Sequence, residues 1–268
     1  FGVILRDIGK VAIFDGKTRD EIARIDTGYA VHILRASSTG RYFYAVGRDG
    51  WVTLIDLWTS VPKAVARARG CFDARSVENS KFTGYEDTFA IQGCYWPPQY
   101  VVFDGLTLEP LVVEGVLGKS IDGDDLDEVR VASIVAVPGA TEWALALKES
   151  GHVGIVDYAK PGFPMVSRIA AERFLHDGGL DATGRYFLVA ANATNRMVAI
   201  DLKEHKLAAS FETGVLPHPG RGANWIDPTF GRVGATTHMG ANTLAIFGAD
   251  PEGQPQNAWK VDRAVTWP

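Results

Sequence analysis

Residues 39–57 read TGRYFYAVGRDGWVTLIDL, and residues 183–202 read TGRYFLVAANATNRMVAIDL. Each copy contains an aromatic apolar run, a polar turn rich in Gly or Asn, and a second apolar run that ends in Asp-Leu. Short apolar runs separated by turn residues are typical of antiparallel β-strands joined by tight turns. The two copies start 144 residues apart, which is three times 48, so the sequence predicts a structural repeat of about 48 residues.

The strand that ends in aspartate is the most frequent element of this repeat. A short apolar strand followed by Asp and a turn occurs six times, at Asp15, Asp56, Asp104, Asp157, Asp201 and Asp250. These aspartates are 41, 48, 53, 44 and 49 residues apart, and a period of about 40–50 residues is that of a four-stranded propeller blade. No long helical pattern separates the strands. We therefore predict an all-β protein, a β-propeller of four-stranded antiparallel blades, with the six aspartates at equivalent ends of the outer strands.

The number of repeats predicts an incomplete ring. The first blade is expected to contain only its last two strands, and about five blades follow, so residues 1–268 are interpreted as one partial propeller domain. An eight-bladed parent would need roughly 100 or more further residues. The chain begins at Phe1 without a methionine or a signal peptide and ends at Pro268, and we expect both ends to be cut.

Composition excludes several classes of protein. Apolar residues make up 46% of the chain and charged residues 22%, as in soluble globular domains. The net charge is −5 and the basic residues form no long run, so we expect no nucleic-acid partner. No apolar run approaches the roughly 18 residues of a membrane span.

The two cysteines, Cys71 and Cys94, form no CxxC pair. This excludes a zinc ribbon, a thioredoxin-type site and a c-haem attachment motif within the chain. The favoured interpretation is two half-buried thiols, and a single disulfide stays open as the alternative for an oxidising compartment.

Three histidines fall at the same place in different repeats. His32 and His176 each lie seven residues before a TGRYF phrase, and His218 ends a TGxxxH segment that matches the one ending at His32. Each is expected to open the inner strand of a blade, at one face of the disc beside the central channel. If His32 belongs to blade n, His176 belongs to blade n+3 and His218 to blade n+4.

The blade numbers predict where these side chains lie around the ring. In an eight-bladed ring His32 is opposite His218, with His176 beside the latter; in a closed six-bladed ring His32 is opposite His176. Blades n+1 and n+2 carry Arg75 and Arg130 at the same position, and arginine binds carboxylates through two hydrogen bonds. A planar, carboxylate-rich ligand with a central metal would fit this lining. The alternative is a structural role, which is usual for a single histidine at the start of a strand.

The remaining candidates are weaker. His152 and His205 are interpreted as solvated, and His238 as a neighbour of the site. The acidic turn at residues 122–127 lacks the glycine and distal glutamate of a calcium-binding EF-hand loop, so it is interpreted as a solvated loop. The chain contains no GxGxxG, P-loop, HExxH or nucleophile-elbow motif.

At this point the sequence resembles the d1 domain of the cytochrome cd1 nitrite reductase family. The segments that carry the resemblance occur in the family's order: IDTGYAVHILR, GRYFYAVGRDG, ARSVENSKFTGYED, CYWPPQYVVFDGLTLEP, RFLHDGG, GRYFLVAANATN and HPGRGANW. The resemblance implies an eight-bladed propeller that holds haem d1 in its channel. It also implies that His32 is the proximal ligand of the haem iron and that His176 and His218 lie on the distal side as catalytic residues.

Further haem contacts follow from the same resemblance. Arg6, Arg48, Arg75 and Tyr95 match residues that hold the carboxylates and carbonyls of the haem, and Ser76 is a weaker match. The implied activity is the dissimilatory, one-electron reduction of nitrite to nitric oxide in denitrification. Histidine suits this reaction because an imidazole with an ordinary pKa near 6.5 can donate the protons that let water leave.

Two other functions remain open. Residues 118–143 are unlike the family's usual loop. Because of this difference, a d1-haem maturation enzyme of the dihydro-d1 haem dehydrogenase type is an alternative function. A non-catalytic propeller that only binds or carries haem d1 is the third hypothesis. The resemblance further implies a periplasmic location, a haem c on a domain absent from this chain, a small cytochrome c or blue copper protein as electron donor, and a homodimer when the protein is complete.

Overall fold

The computed structural model describes residues 1–267, which form 23 β-strands in six sheets. Within each sheet, neighbouring strands are consecutive in the chain, and their pairing is antiparallel. Two 3₁₀ turns, at Arg6–Ile8 and Asn192–Thr194, are the helical elements of this part of the chain. None of its helices is long and apolar enough to cross a bilayer.

The strands are numbered in chain order. The first sheet comprises β1–β3, at Gly2–Leu5, Lys10–Phe14 and Glu21–Asp26. The second comprises β4–β7, at Ile33–Ala36, Tyr42–Val46, Trp51–Asp56 and Lys63–Arg69. The third comprises β8–β11, at Asp73–Asn79, Phe89–Trp96, Gln99–Asp104 and Pro110–Gly115. The fourth comprises β12–β15, at Val131–Ala136, Glu142–Leu147, His152–Asp157 and Met165–Ala170. The fifth comprises β16–β19, at Leu175–Leu180, Tyr186–Ala191, Arg196–Asp201 and Lys206–Glu212. The sixth comprises β20–β23, at Ala223–Asp227, Gly231–Thr237, Thr243–Gly248 and Val261–Thr266.

The predictions of an all-β chain and of four-stranded antiparallel blades are confirmed. The first sheet differs from expectation because it has three strands rather than two. The additional strand, β1, is joined to β2 by the 3₁₀ turn Arg6–Ile8, which ends at Gly9 with a φ of 66°. This link contains no two-residue Gly or Asn turn, so the sequence pattern did not show it as a hairpin.

The six repeated aspartates occupy equivalent positions, but the expectation that they end outer strands was wrong. Four end the third strand of their sheet, as Asp56 ends β6 and Asp201 ends β18, whereas Asp15 follows β2, the middle strand of the three-stranded sheet, and Asp250 lies two residues after β22. One further strand lies outside each of these strands. These outermost strands are mostly solvent-exposed, for example β7 with the sequence KAVARAR, and they lack the apolar run that marks the third strands.

The aspartates repeat because each carboxylate organises the turn after its strand. Oδ1 of Asp15 accepts the backbone N–H groups of Lys17 and Thr18 at 2.8 Å. In the two TGRYF copies the carboxylate also binds the arginine of the phrase: Nη2 of Arg41 lies 2.7 Å from Asp56. Arg185 reaches Asp201 in the same way, at 2.8 Å. Turn formation and a charge-assisted hydrogen bond therefore explain the equal spacing of Arg and Asp in the two copies.

Asp56→Asn is expected to lower the free energy of unfolding of the full-length protein by about 1–3 kcal/mol near neutral pH, the usual range for hydrogen bonds to a charged group. Hydrogen bonds from Arg41 lower the pKa of the Asp56 carboxyl, burial opposes them, and the Trp58 N–H adds to the lowering. Because the folded-state pKa is lowered, this stabilisation is fully present above the ordinary value of 3.8 and is lost as pH falls through the folded-state value.

Urea unfolding of wild type and variant between neutral and acidic pH measures this difference. Asp20→Asn is the matched control, because the Asp20 side chain is exposed. A stability difference between wild type and Asp56→Asn that stays constant as the pH falls would contradict stabilisation by the ionised Asp56 carboxylate.

The sheets are grouped in two compact units. Unit 1 comprises Phe1–Leu117, Glu128–Trp143 and Val156–Pro164; unit 2 comprises Gly118–Asp127, Ala144–Ile155 and Met165 to the C-terminus. In unit 1, Leu54 of the second sheet and Phe103 of the third share one core. In unit 2, Leu188 of the fifth sheet and Phe247 of the sixth share another. Sheet faces thus pack on each other within each unit and fix the strand ends that carry the candidate site residues.

Cys71 and Cys94 form a disulfide, so the interpretation as two thiols was wrong. Strands β8 and β9 are antiparallel, with Asp73 opposite Trp96 and Ala74 opposite Cys94. Cys71, just before β8, therefore lies beside Cys94 near the end of β9, with Cα atoms 6.0 Å apart. This proximity depends on strand register, which the spacing of two cysteines does not specify.

The acidic turn at residues 122–127 is exposed, as predicted. Its carboxylates make ion pairs within unit 2. Nη1 of Arg173 lies 3.1 Å from Asp122 and 3.4 Å from Asp124. Nζ of Lys119 lies 3.0 Å from Asp125.

Candidate functional site

The three equivalent histidines lie where the repeats predict, at the first strand of their sheets. His32 directly precedes β4, His176 is the second residue of β16, and His218 lies between β19 and β20. The two arginines that complete the series follow the same rule, since Arg75 is in β8 and Arg130 directly precedes β12. His32, Arg75 and Arg130 belong to unit 1, and His176 and His218 to unit 2.

An irregularity in β16 sets the direction of His176 and its neighbour Asp177. Leu175 pairs with Ala191 and Gly178 pairs with Val189, so β16 has one extra residue between these two pairs. Such a β-bulge interrupts the alternation of side chains and re-aims those within it. His176 and Asp177 occupy this bulge, so both side chains are positioned by it.

The two glycines of the HDGG segment let a second loop approach β16. A Cβ atom on Gly179 would lie 2.1 Å from the carbonyl oxygen of Arg221, and one on Gly178 would lie 2.7 Å from that of Leu188. Asn224 also donates to the Leu180 carbonyl at 2.8 Å. The segment that carries His218 therefore packs directly on the strand that carries His176.

The His218 segment is further held by the loop after β21. The His218 N–H donates to the Thr237 carbonyl at 2.7 Å, and the Thr237 hydroxyl donates back to the His218 carbonyl at 2.6 Å. Met239 N–H donates to the Leu216 carbonyl at 2.9 Å. His238 supports this loop through Nδ1, which lies 2.9 Å from the Thr243 carbonyl oxygen. His238 was predicted to be a neighbour of the site, and it stabilises the loop that holds His218.

His176, Asp177 and His218 form one cluster, called here the histidine–aspartate cluster. Nδ1 of His176 lies 3.1 Å from Oδ1 of Asp177, and Nε2 of His218 lies 3.1 Å from Oδ2 of the same carboxylate. The two imidazole centroids are 5.2 Å apart. Asp177 is 7% exposed, and both histidines are partly buried. A buried carboxylate is thus in contact with two imidazoles that keep one side towards solvent.

This cluster can neutralise its buried carboxylate in two ways. The ligand atoms of its three residues lie within 4.8 Å of one another, and two imidazoles with one carboxylate are a donor set for divalent transition metals. Alternatively the imidazoles can carry protons, because an imidazolium beside a carboxylate offsets the cost of burying its charge. In the protonated form the cluster is a paired proton donor.

In unit 1 a second group of predicted site residues meets around Tyr95. The Arg48 guanidinium lies 4.6 Å from the centre of the Tyr95 ring, and the Arg130 guanidinium lies 5.3 Å from it. Nη2 of Arg48 also donates to Asp73 at 2.8 Å. Two cations on one aromatic ring are held by the attraction between charge and ring face.

Register shifts place Arg75 and Tyr95 on facing strands. Asp73 pairs with Trp96, Ala74 with Cys94, and the next pair joins Ser76 to Gly93, which leaves Tyr95 and Arg75 as the extra residues. Arg75 is 6% exposed and Ser76 is 2% exposed. Ser76 Oγ lies against Gly93, where a Cβ atom would be 2.4 Å away, and it makes no hydrogen bond in the part of the chain that the structure describes.

His32 and Arg48 start from neighbouring backbone segments. The His32 N–H donates to the Val46 carbonyl at 2.8 Å, and the Arg48 N–H donates to the Tyr29 carbonyl at 2.9 Å. Arg6 lies on the 3₁₀ turn that packs on the same loop, since a Cβ atom on Gly9 would be 2.5 Å from the Gly28 carbonyl oxygen. The Arg6 side chain is exposed and pairs with Asp7 at 3.1 Å.

Two remaining histidines were expected to be solvated. His152 is half-buried instead, and its desolvation lowers the pKa of the imidazole, with the charge of Arg168 adding to the effect. His205 lies in the turn between β18 and β19. Neither is part of the histidine–aspartate cluster.

The donor set of unit 1 fits an iron macrocycle that carries carboxylates, and that of unit 2 fits a small anion. Unit 1 offers a partly buried imidazole, His32, for iron, and guanidinium groups at Arg48, Arg75 and Arg130 for carboxylates. The Ser76 hydroxyl can make one more hydrogen bond to a bound group. Unit 2 offers two imidazoles that can bind and protonate a small anion.

Sequence reasoning missed Asp177, which contacts both His176 and His218. Its signal was its place directly after His176, in front of two glycines. The contact with His218 depends on the bulge in β16 and on the loop seated on Gly179, and neither follows from spacing alone.

Comparison with known proteins gives the family. The family model described as the cytochrome D1 heme domain matches residues 1–267. A protein named nitrite reductase, from Stutzerimonas stutzeri, is 46% identical over 273 residues, which cover 100% of this chain and 49% of that protein. The chain spans about half the length of the curated relatives it matches.

Solved structures give the same fold. The dihydro-heme d1 dehydrogenase NirN in complex with DHE is 26% identical and superposes with a TM-score of 0.80, covering 99% of this chain and 53% of that one. The β-propeller domain of Cps50 (Swd1) from Myceliophteria thermophila is 15% identical, with a TM-score of 0.71, covering 100% of this chain and 82% of that one. The β-propeller prediction is therefore confirmed. From the full-length family match and the 46% identical relative, the chain belongs to the cytochrome d1 heme domain family.

Proposed function

We propose that the chain is the haem-d1-binding part of a periplasmic dissimilatory nitrite reductase that forms nitric oxide. The observation that carries this proposal is the histidine–aspartate cluster, in which two partly buried imidazoles lie 5.2 Å apart on one carboxylate. The relative named nitrite reductase, 46% identical over the whole chain, supports the same reaction.

The reaction requires two protons and one electron. Nitrite, one electron and two protons give nitric oxide and water, so one N–O bond breaks and the departing oxygen takes both protons. Haem d1, when bound, supplies the iron that holds nitrite and the electron that reduces it. His176 and His218 each hold a proton for the departing oxygen, and their positive charge attracts the anion before reaction.

The residues of unit 1 would hold the haem. His32 supplies the proximal imidazole for the iron, while Arg48, Arg75 and Tyr95 bind the periphery, with Ser76 as a further hydrogen-bonding group. Arg6, on an exposed turn beside the His32 loop, would close over one carboxylate. The contacts of Arg48 and Arg130 with the Tyr95 ring support this role, because they bring two guanidinium groups together; Arg48 also pairs with Asp73 at 2.8 Å and Arg130 with Glu128 at 3.3 Å.

The complete protein would have an eight-bladed propeller, a separate haem c domain and a homodimeric state. Electrons would arrive from a small cytochrome c or a blue copper protein. The Cys71–Cys94 disulfide supports a periplasmic location, since disulfides persist in oxidising compartments.

A second candidate function is oxidation of a dihydro-haem d1 precursor. The observation that favours it is the superposition on the dihydro-heme d1 dehydrogenase structure, with a TM-score of 0.80. A carrier that only binds haem d1 is a weaker third candidate, because binding alone gives no reason for two imidazoles on one buried carboxylate.

One experiment on the full-length protein separates these functions. The protein is loaded with haem d1, reduced without oxygen and mixed with ¹⁵N-nitrite; in a second arm it is loaded with dihydro-haem d1 and an external electron acceptor. We expect labelled nitric oxide in the first arm and no conversion in the second. Conversion of the precursor without nitric oxide formation would assign the dehydrogenase activity, and inertness in both arms would assign a carrier.

A further inference from the structure

We propose that Asp177 is a positioning residue that fixes the orientation and the tautomer of both His176 and His218. This inference rests on the proposed function and deepens it, because it assigns the two imidazole nitrogens that act on the bound anion. Asp177 itself does not touch the anion and acts through the two histidines.

The contacts of the carboxylate determine which nitrogens face it. Oδ1 lies 3.1 Å from Nδ1 of His176, and Oδ2 lies 3.1 Å from Nε2 of His218. An ionised carboxylate only accepts hydrogen bonds, so it attracts an N–H and repels a nitrogen lone pair at each of these two positions. The opposite nitrogens, Nε2 of His176 and Nδ1 of His218, are therefore the ones that act on a bound anion.

Burial makes this arrangement selective. Asp177 is 7% exposed, and the buried Nδ1 atom of His176 makes no hydrogen bond in the described residues, so its 3.1 Å charge contact with Oδ1 of Asp177 is its polar interaction there. The reversed tautomer of His176 would place a lone pair against the carboxylate, which is repulsive at 3.1 Å in a desolvated site. The carboxylate thus excludes the wrong tautomer of each ring and keeps both rings on one anion.

The carboxylate also offsets the repulsion between the two rings in the form in which each carries the proton that it would donate. Two imidazolium ions whose centres are 5.2 Å apart repel each other, and a negative charge in contact with both offsets this repulsion. Other titratable or charged side chains of the packed loops are Arg221, which reaches the Gly178 carbonyl at 3.5 Å, and His238, whose Nδ1 faces the Thr243 carbonyl. These groups face backbone oxygens, whereas Asp177 faces the two rings.

Asp177→Asn should disturb the cluster without changing its volume. An amide has one acceptor oxygen and one donor nitrogen, so it can accept a proton from one ring and must donate to the other. One ring must then present a lone pair to the amide N–H, so it can hold neither the favoured tautomer nor the proton that it would donate. We expect single-turnover nitrite reduction to slow by on the order of 10- to 100-fold, the usual effect of removing a residue that orients an active histidine.

A mutant cycle in the haem-loaded full-length protein tests whether Asp177 acts through the histidines. The four proteins are wild type, Asp177→Asn, the double variant His176→Ala/His218→Ala, and the triple variant. Two quantities are measured on each: the rate of nitric oxide formation, and the affinity of the oxidised protein for nitrite, read from its absorption spectrum. Asp181→Asn is the matched control, because Asp181 is a buried carboxylate at the end of the same strand that binds Thr183 and Tyr186 instead.

We expect Asp177→Asn to slow nitric oxide formation in the wild-type background. In the His176→Ala/His218→Ala background we expect it to change the rate by no more than about twofold. An equal effect in both backgrounds, or wild-type behaviour of Asp177→Asn, would overturn it. Loss of haem or folding in both Asp177→Asn and Asp177→Ser would likewise show a structural role and overturn it. A wild type that binds nitrite without turnover would contradict the proposed function, and the affinity cycle would still decide the role of Asp177.

Discussion

Replacing either His176 or His218 with alanine is expected to slow nitric oxide formation by on the order of 10²-fold or more, the usual contribution of a positioned general acid. In the proposed reaction, each imidazole supplies one of the two protons that the departing oxygen needs. The haem content is expected to change little, because the proposed iron ligand is His32. Single-turnover nitrite reduction in the haem-loaded full-length protein measures the effect.

The rate losses caused by His176→Ala and His218→Ala should not be additive. His176 and His218 touch the same carboxylate, at 3.1 Å each, so removing one leaves the other with an altered partner. We therefore expect the double variant to be little slower than the slower single variant. His205→Ala, in the turn between β18 and β19, is the control and should keep the wild-type rate. Wild-type rates in both His176→Ala and His218→Ala would show that the cluster is structural.

Replacing His32 with alanine is expected to change the visible spectrum of bound haem d1, because the iron loses its proximal imidazole. Part of the haem should remain bound, since Arg48, Arg75 and Tyr95 are the proposed contacts of its periphery. Absorption spectra of the oxidised and reduced full-length protein, compared at equal haem content, measure the change.

Chemical rescue separates ligation from folding in this variant. Imidazole added to His32→Gly should restore the wild-type spectrum if the cavity left by the side chain admits it to the iron. The same addition to His176→Gly should leave the spectrum unchanged. A wild-type spectrum in His32→Ala without imidazole would refute ligation by His32.

The sheets were predictable because their signals are local. Repeated aspartates such as Asp15 and Asp104 bind the next N–H groups of the chain, so their effect on sequence is confined to a few residues. The Arg41–Asp56 and Arg185–Asp201 pairs lie within one hairpin and reappear as the repeated phrase. The first-strand positions of His32, His176 and His218 followed from the same period.

Features that depend on register between strands were not predictable. The disulfide forms because the strand register brings Cys71 beside Cys94, which is 23 residues later in the chain. The sequence does not specify this register, so the two cysteines were interpreted as thiols. Asp177 reaches His218 only because β16 has an extra residue and Gly179 admits a neighbouring loop. The ring of Tyr95 between two guanidiniums also joins residues from three sheets. In each case a sheet irregularity or a close approach of loops creates the contact.

The central proposal is that His32 and the arginines hold haem d1 and that His176 and His218 act on nitrite. A crystal structure of the full-length protein with haem d1 and nitrite tests it most directly. The account predicts the His32 imidazole on the haem iron, with Nε2 of His176 and Nδ1 of His218 within hydrogen-bond distance of nitrite and Asp177 between their other nitrogens. Haem held by a different residue, or nitrite bound away from His176 and His218, would contradict the account.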